Sequence, residues 1–148
     1  MGEVHVDITP NPIEIARALE LVQEDASCGA IATFTGTTRC ERDPEHGALI
    51  RLDYEAYDEM ARAQMKALAA QAMKEWAVTQ MVIVHRIGPV LPGEASVFIA
   101  VATGHRTEAF NACRWLIDTL KRDVPIWKKD VYEDGFVRWV EPEKRHDS

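Results

Sequence analysis

Residues 105–129 read His-Arg-Thr-Glu-Ala-Phe-Asn-Ala-Cys-Arg-Trp-Leu-Ile-Asp-Thr-Leu-Lys-Arg-Asp-Val-Pro-Ile-Trp-Lys-Lys, and this stretch decides how the rest of the chain is read. Phe110, Cys113, Ile117 and Leu120 step by three, four and three, which predicts one apolar face of an amphipathic helix. Arg114, Asp118 and Lys121 fall on a neighbouring face. Pro125 has no amide hydrogen and cannot continue a helix, so the turn is expected at Arg122 to Val124. Ile126, Trp127, Lys128 and Lys129 then run on as an extended return segment.

The charge of this stretch opposes that of the chain. The whole sequence carries 17 Lys+Arg against 24 Asp+Glu, a net of -7. From Arg106 to Lys129 there are six cations (106, 114, 121, 122, 128, 129) and three acids (108, 118, 123), a net of +3. An acidic protein that gathers cations around one helix and its exit strand has a place for an anion there. The plainer alternative is that Asp118 pairs with Lys121 at i,i+3 and the remaining charges are solvated surface.

Upstream, Met81 to Ile87 and Ser96 to Thr103 are apolar runs joined through Pro89 and Leu91-Pro92-Gly93-Glu94, an antiparallel hairpin pattern. His85 lies inside the first run, where a hydrogen-bonded structural histidine is the expected state. Thr103-Gly104-His105-Arg106 passes from strand end to helix start, where free N–H groups and the helix dipole favour an anion. Val4, Val6 and Ile8 alternate with polar residues as a short strand. Ile13, Ala16, Leu19, Leu21 and Val22 predict a helix running to about Glu24, with Asn11 as N-cap and Pro12 at its first position. Gly29 to Gly36 reads as a buried strand, followed by Thr37-Thr38-Arg39, whose hydroxyls and guanidinium fork suit an anion. Cys40 to Gly47 reads as a charged loop and Leu49 to Tyr57 as a strand. Asp58 is placed to cap a long helix carrying Ala61, Met65, Leu68, Ala69, Ala72, Met73 and Trp76 at helical spacing. Asp134-Gly135 between extended segments predicts a last hairpin. Hairpins alternating with helices make the fold α+β, in one domain over residues 1–148 with a frayed tail at 141–148.

The 148 residues suit one core, and a chain of this length buries roughly 70% of its extended surface. No apolar run approaches the ~20 residues of a membrane span, and the start of the chain has no signal-peptide pattern. The acidic balance argues against duplex nucleic acid, which wants a broad basic face. Cys28, Cys40 and Cys113 are odd in number and lack CxxC spacing, which argues against a disulfide framework and a zinc site and for a reducing cytoplasm. Cys28 and Cys113 sit in core-like patterns, whereas Cys40 lies in a loop with no base beside it in sequence.

Several stretches together resemble the large, catalytic subunit of molybdopterin synthase, the MoaE family. They are residues 32–39 (Ala32 to Arg39), His85-Arg86-Ile87-Gly88, Pro92-Gly93-Glu94, Gly104-His105-Arg106, Asp118-Thr119-Leu120-Lys121 running into Val124 to Lys129, and Arg138-Trp139-Val140-Glu141. The resemblance implies an α/β hammerhead-type fold with antiparallel hairpins and about three helices. It implies a cytoplasmic sulfurtransferase that turns a cyclic pyranopterin monophosphate into the dithiolene of molybdopterin. Two sulfurs would come from the thiocarboxylated C-terminal Gly-Gly of a small ubiquitin-like partner. The large subunits would form a homodimer at the core of a heterotetramer, with no metal and no cofactor at the site. By position, Lys121 matches the family's essential lysine and Lys128 a second active-site lysine. Thr37, Thr38 and Arg39 match a substrate-contacting strand end, His105 and Arg106 a substrate-binding pair, and Lys129 and Asp130 the continuation of the Lys128 segment. Thr38 stands where the family often has Val, Asp130 where Glu is usual, and Glu143 where some members carry an arginine.

The residue types fit such chemistry on their own terms. Arginine and lysine hold a phosphate, and a lysine crowded by cations and partly desolvated has a lowered pKa, so that it serves as acid, base or transient nucleophile. Arg106 and Lys121 are fifteen residues apart on one helix, roughly 22 Å, longer than a pterin monophosphate. His105 and Arg106 are therefore expected to serve the site of a neighbouring protomer. Two other readings stay open: a non-catalytic module that docks a ubiquitin-like protein, and a phosphate-binding domain without chemistry.

Overall fold

Strand β7 (Ala95–Thr103) is buried along almost its whole length because both faces of its sheet are covered. In the computed structural model, which describes residues 2–140, it lies inside a four-stranded sheet. The order is β1 (Glu3–Thr9), β5 (Gln80–Arg86), β7, β2 (Ala30–Thr37). β5 and β7 form the expected antiparallel pair, with Ile83 opposite Ile99, and β1 joins β5 in parallel. Successive side chains alternate between faces. Met81, Ile83, Ile99 and Val101 face helices α2 (Asp58–Trp76) and α3 (Arg106–Asp123) in the main core. Val82, Phe98, Ala100 and Ala102 face the short helix α1 (Ile15–Glu20) in a second cluster with Ala18 and Val22.

A second sheet stands beside the first, in the order β3 (Arg42–Asp43), β4 (Gly47–Ala56), β8 (Ile126–Tyr132), β9 (Val137–Val140), with β6 (Gly88–Val90) also on β4. The Asp134-Gly135 turn between β8 and β9 is as expected, with Gly135 at φ +93. The α+β class, the hairpins and three helices among the described residues match the sequence reading.

Several local expectations are corrected. Helix α1 starts at Ile15 with Glu14 as N-cap and ends at Glu20; Asn11 instead donates its N–H to Thr9 Oγ1 (3.0 Å), which prolongs the turn after β1. Tyr57 is the N-cap of α2, and Asp58 lies inside the helix, accepting from Arg62 Nε at 2.9 Å one turn on. The charged 40–47 segment contains β3, and the link after β5 contains β6; both are too short for a periodic signal. On α3, Phe110 is 66% exposed, and the buried face is built by Ala109, Ala112, Cys113, Leu116, Ile117, Thr119 and Leu120. Asp118 pairs with Arg114 at 3.7 Å, not with Lys121. The expectations for the tail at 141–148, including Glu143, lie outside the described residues.

Candidate active site

A cleft of about 480 Å³ lies between the two sheets at the C-terminal end of α3. Its apolar floor includes Phe34 of β2, Leu52 and Tyr54 of β4, Val97 of β7, and Ile117 and Leu120 of α3. Lys121 follows in the last turn of α3, where a cation complements the negative end of the helix dipole. The helix stops at Val124, which is extended, with its N–H given to Leu120 O at 3.1 Å. Pro125 then turns the chain into β8, and residues seven apart in sequence come to share one cavity: Lys121 and Lys128 both line it and both are half-buried.

The alternation of β8 decides which of its charges enter. Ile126, Lys128 and Asp130 line the cleft, with Trp127 at its edge against Tyr57 (ring centroids 5.0 Å). Lys129 is on the other side. It lines a separate groove with Arg51, Asp53 and Pro89, approaches Glu55 at 3.8 Å, and sits over the Trp139 ring at 4.9 Å. The expected role of Lys129 beside Lys128 is thus not supported by its placement, because a strand turns consecutive side chains to opposite faces.

The end of β2 is aimed by a bulge. Its register against β7 shifts between Gly36 and Thr37, so that Thr35, Gly36, Thr37 and Arg39 line the cleft. Thr38 does not: it is 2% exposed, its N–H donates to Glu94 O at 3.0 Å, and its carbonyl accepts from Gly93 N–H at 2.8 Å. Thr38 therefore fastens the strand end to the 91–94 turn. Glu94 holds the same turn from the other side through Leu91 N–H (2.9 Å) and Arg86 (3.1 Å); the Leu91 bond, then the Arg86 charge, keep its carboxyl below the ordinary range. Arg39 is largely exposed at the mouth, 3.8 Å from Glu41.

The cleft gathers Arg39, Lys121 and Lys128 against Glu41 and Asp130, an excess of positive charge in an acidic chain. His105 and Arg106 are exposed at the opposite end of α3 and do not reach it. His85 is hydrogen-bonded as expected, through Nδ1 to Arg86 O at 2.8 Å, yet it also lines the cleft. Burial, then the Lys121 charge, lower its pKa to about 4. His85 and Trp127 fall within the motif stretches but without an assigned role in substrate binding, and Tyr54 is in none of them; only the period-two step from Leu52 to Tyr54 places those two on one face. Cys113 is a core thiol, pushed up to about 11 by burial, and Cys40 is exposed. Among the described residues no cluster of His, Cys, Asp or Glu has the makings of a metal site, and no helix is long and apolar enough to cross a membrane.

The profile of the family described as MoaE protein matches residues 8–123. The chain belongs to the MoaE family. A molybdopterin synthase catalytic subunit from Oryza sativa subsp. indica is 45% identical over 129 residues, covering 87% of this chain and 65% of that protein. The MoaE chain described here thus spans slightly under two thirds of the plant relative's length. A molybdopterin synthase catalytic subunit from Thermoplasma volcanium is 42% identical over 142 residues, covering 94% of this chain and 99% of that one. Among solved structures, molybdopterin synthase from Staphylococcus aureus superposes with a TM-score of 0.83 at 33% identity, covering 90% of this MoaE chain and 95% of that chain.

Proposed function

We propose that this chain is the catalytic subunit of a cytoplasmic molybdopterin synthase. The reading is supported most by one observation: Lys121, Lys128 and Arg39, distant or reversed in the chain, line a single cleft in a member of the MoaE family. The substrate is a cyclic pyranopterin monophosphate, and the sulfur donor is the thiocarboxylated Gly-Gly tail of a small ubiquitin-like subunit. Relatives named as catalytic subunits are parts of a larger enzyme by name, which fits a second polypeptide here.

In this reading Arg39 at the mouth and Thr37 at the β2 end hold the phosphate, a task suited to a guanidinium fork and a hydroxyl. In each transfer the thiocarboxylate sulfur forms a C–S bond to a substrate carbon as that carbon's C–O bond breaks and its oxygen leaves with a proton; water then cleaves the sulfur–acyl bond, leaving sulfur on the substrate and a carboxylate on the partner. Protons must reach leaving oxygens, and Lys121 is the acid/base group, with Lys128 beside it. Asp130 shares their wall of the cleft and orients them. The apolar floor partly desolvates Lys121 and Lys128, which strengthens their action on the substrate. His105 and Arg106 belong to the site of a neighbouring protomer in a homodimer that carries one small subunit at each end.

The test is incubation with the thiocarboxylated small subunit and the pyranopterin, with dithiolene product measured. Product formed by the native chain, with partner binding retained and product lost in Lys121→Ala, supports the enzyme. Product undiminished in Lys121→Ala leaves a docking module, and absence of partner affinity leaves a phosphate-binding domain.

A further inference from the structure

His85 is 5% exposed on β5, directly after the apolar run Met81 to Val84, yet it borders the cleft. A buried imidazole has two nitrogens to satisfy. Nδ1 lies 2.8 Å from the Arg86 carbonyl oxygen, which only accepts, so Nδ1 carries the hydrogen. The ring plane is braced by Tyr54, whose ring meets it edge-on at 5.1 Å and 67°. Its strand neighbours, Ile8 of β1 and Val97 of β7, are uncharged. Lys121, in the last turn of α3, lines the same cleft as His85, and its charge acts on the ring. Burial and that charge keep the imidazole neutral at physiological pH. A neutral ring protonated at Nδ1 has one function left at Nε2, a lone pair that accepts.

We propose that His85 is a positioning residue of the cleft, whose Nε2 lone pair accepts from the Lys121 ammonium and fixes where that amine stands. The inference rests on the reading of Lys121 as the acid/base group. A neutral acceptor has an advantage here over a carboxylate. It anchors a cation through a charge-assisted hydrogen bond without cancelling the positive potential that an anionic substrate needs. It also explains why a histidine, costly to bury, occupies a strand position where an apolar residue would pack.

Two variants separate anchoring from mere packing. In His85→Asn the side-chain amide reaches the Nδ1 position and keeps the bond to Arg86 O, but nothing stands at Nε2. In His85→Gln the amide oxygen reaches the Nε2 position. Sulfur transfer by the complex with its thiocarboxylated partner should fall at least about tenfold in kcat for His85→Asn with KM little changed, and stay within about threefold for His85→Gln. The alkaline limb of the kcat profile should move to lower pH in His85→Asn, because the ammonium has lost its acceptor. NMR titration of the Lys121 amine should show the same displacement without any substrate. Nitrogen NMR of the native chain should find Nε2 unprotonated, a result that needs no variant to fold. Equal kcat in the two variants, an unmoved Lys121 titration, or a protonated Nε2 overturns the proposal. If the native complex forms no product, the functional reading fails, while the Lys121 titration and the tautomer still decide this one.

Discussion

Lys128 and Lys129 are neighbours in the chain and face opposite sides of β8, the first into the cleft and the second over the Trp139 ring at 4.9 Å. A basic pair therefore divides into one residue beside Lys121 and one that packs against the outer surface. Lys128→Ala should lower product formation by roughly 10²-fold, the scale of a lost proton-transfer or electrostatic group. Lys129→Ala should leave it within a few-fold. Steady-state assays of the two variants check this, and an equal loss in both would show that the outer groove also takes part.

The opposite ends of α3 cannot serve one small substrate in one chain. Arg106→Ala and Lys121→Ala should each be nearly inactive alone, and co-refolded hybrids should recover part of the native activity through sites that combine the intact halves. Hybrids verified by mass spectrometry and still inactive would assign His105 and Arg106 to another task.

Acid should weaken the fold in two stages. The pKa of His85 is lowered from 6.5 to about 4, first by burial and then by Lys121, so the unfolded chain binds a proton that the folded chain refuses. Stability is thus complete above pH 6.5 and falls by about 3 kcal/mol as pH drops to about 4. His85→Gln should flatten this slope in denaturant titrations at several pH values. Asp43 and Asp134 act lower down. Their carboxyls are held below 3.8, chiefly by the N–H groups of Glu45 and Phe136 and then by Arg138 and His46, respectively. Their contribution is present above 3.8 and is lost as pH falls through the depressed folded values, so Asp43→Asn should blunt the final acid transition.

Leu116 is fully buried and Phe110 is 66% exposed, although both are large apolar residues of one helix. Leu116→Ala should cost about 2–5 kcal/mol and lower Tm by many degrees. Phe110→Ala should alter stability by no more than about 0.5 kcal/mol. Thermal melts of the two variants measure the burial difference directly.

Gly29 meets the end of β7 closely. A Cβ built there would stand 2.6 Å from the Gly104 carbonyl oxygen, a backbone atom that cannot swing away, while Gly29 N–H also donates to that carbonyl at 3.1 Å. Gly29→Ala should therefore destabilise the chain by about 1–3 kcal/mol. Because Gly104 leads into His105 and Arg106, amide exchange at the start of α3 should quicken in the same variant.

Much of this molecule could be read from local pattern. The α2 periodicity, the β5–β7 hairpin, the Asp-Gly turn and the stop at Pro125 follow from period, φ restriction and turn chemistry, which act within a few residues. The errors fall where local signals compete or are too short. Asn11 has the side chain of a cap, yet α1 begins only at Ile15 with Glu14 as its N-cap; Phe110 sits on the apolar period, yet α3 places Ala109 and Ala112 in the buried face instead. The two-residue β3 and three-residue β6 exist because β4 offers partners distant in the chain.

The order of helices and hairpins, the excess of cations around α3 and the lysines to watch were all present in the one-dimensional chain, since short-range sterics and side-chain chemistry write them there. Folding alone settled that Lys128 enters the cleft and Lys129 leaves it, that a bulge admits Thr37 and excludes Thr38, and that His85 and Lys121 line the same cleft. Those outcomes depend on strand register and on how α3 packs across two sheets, and such pairings between remote segments leave no periodic trace along the backbone.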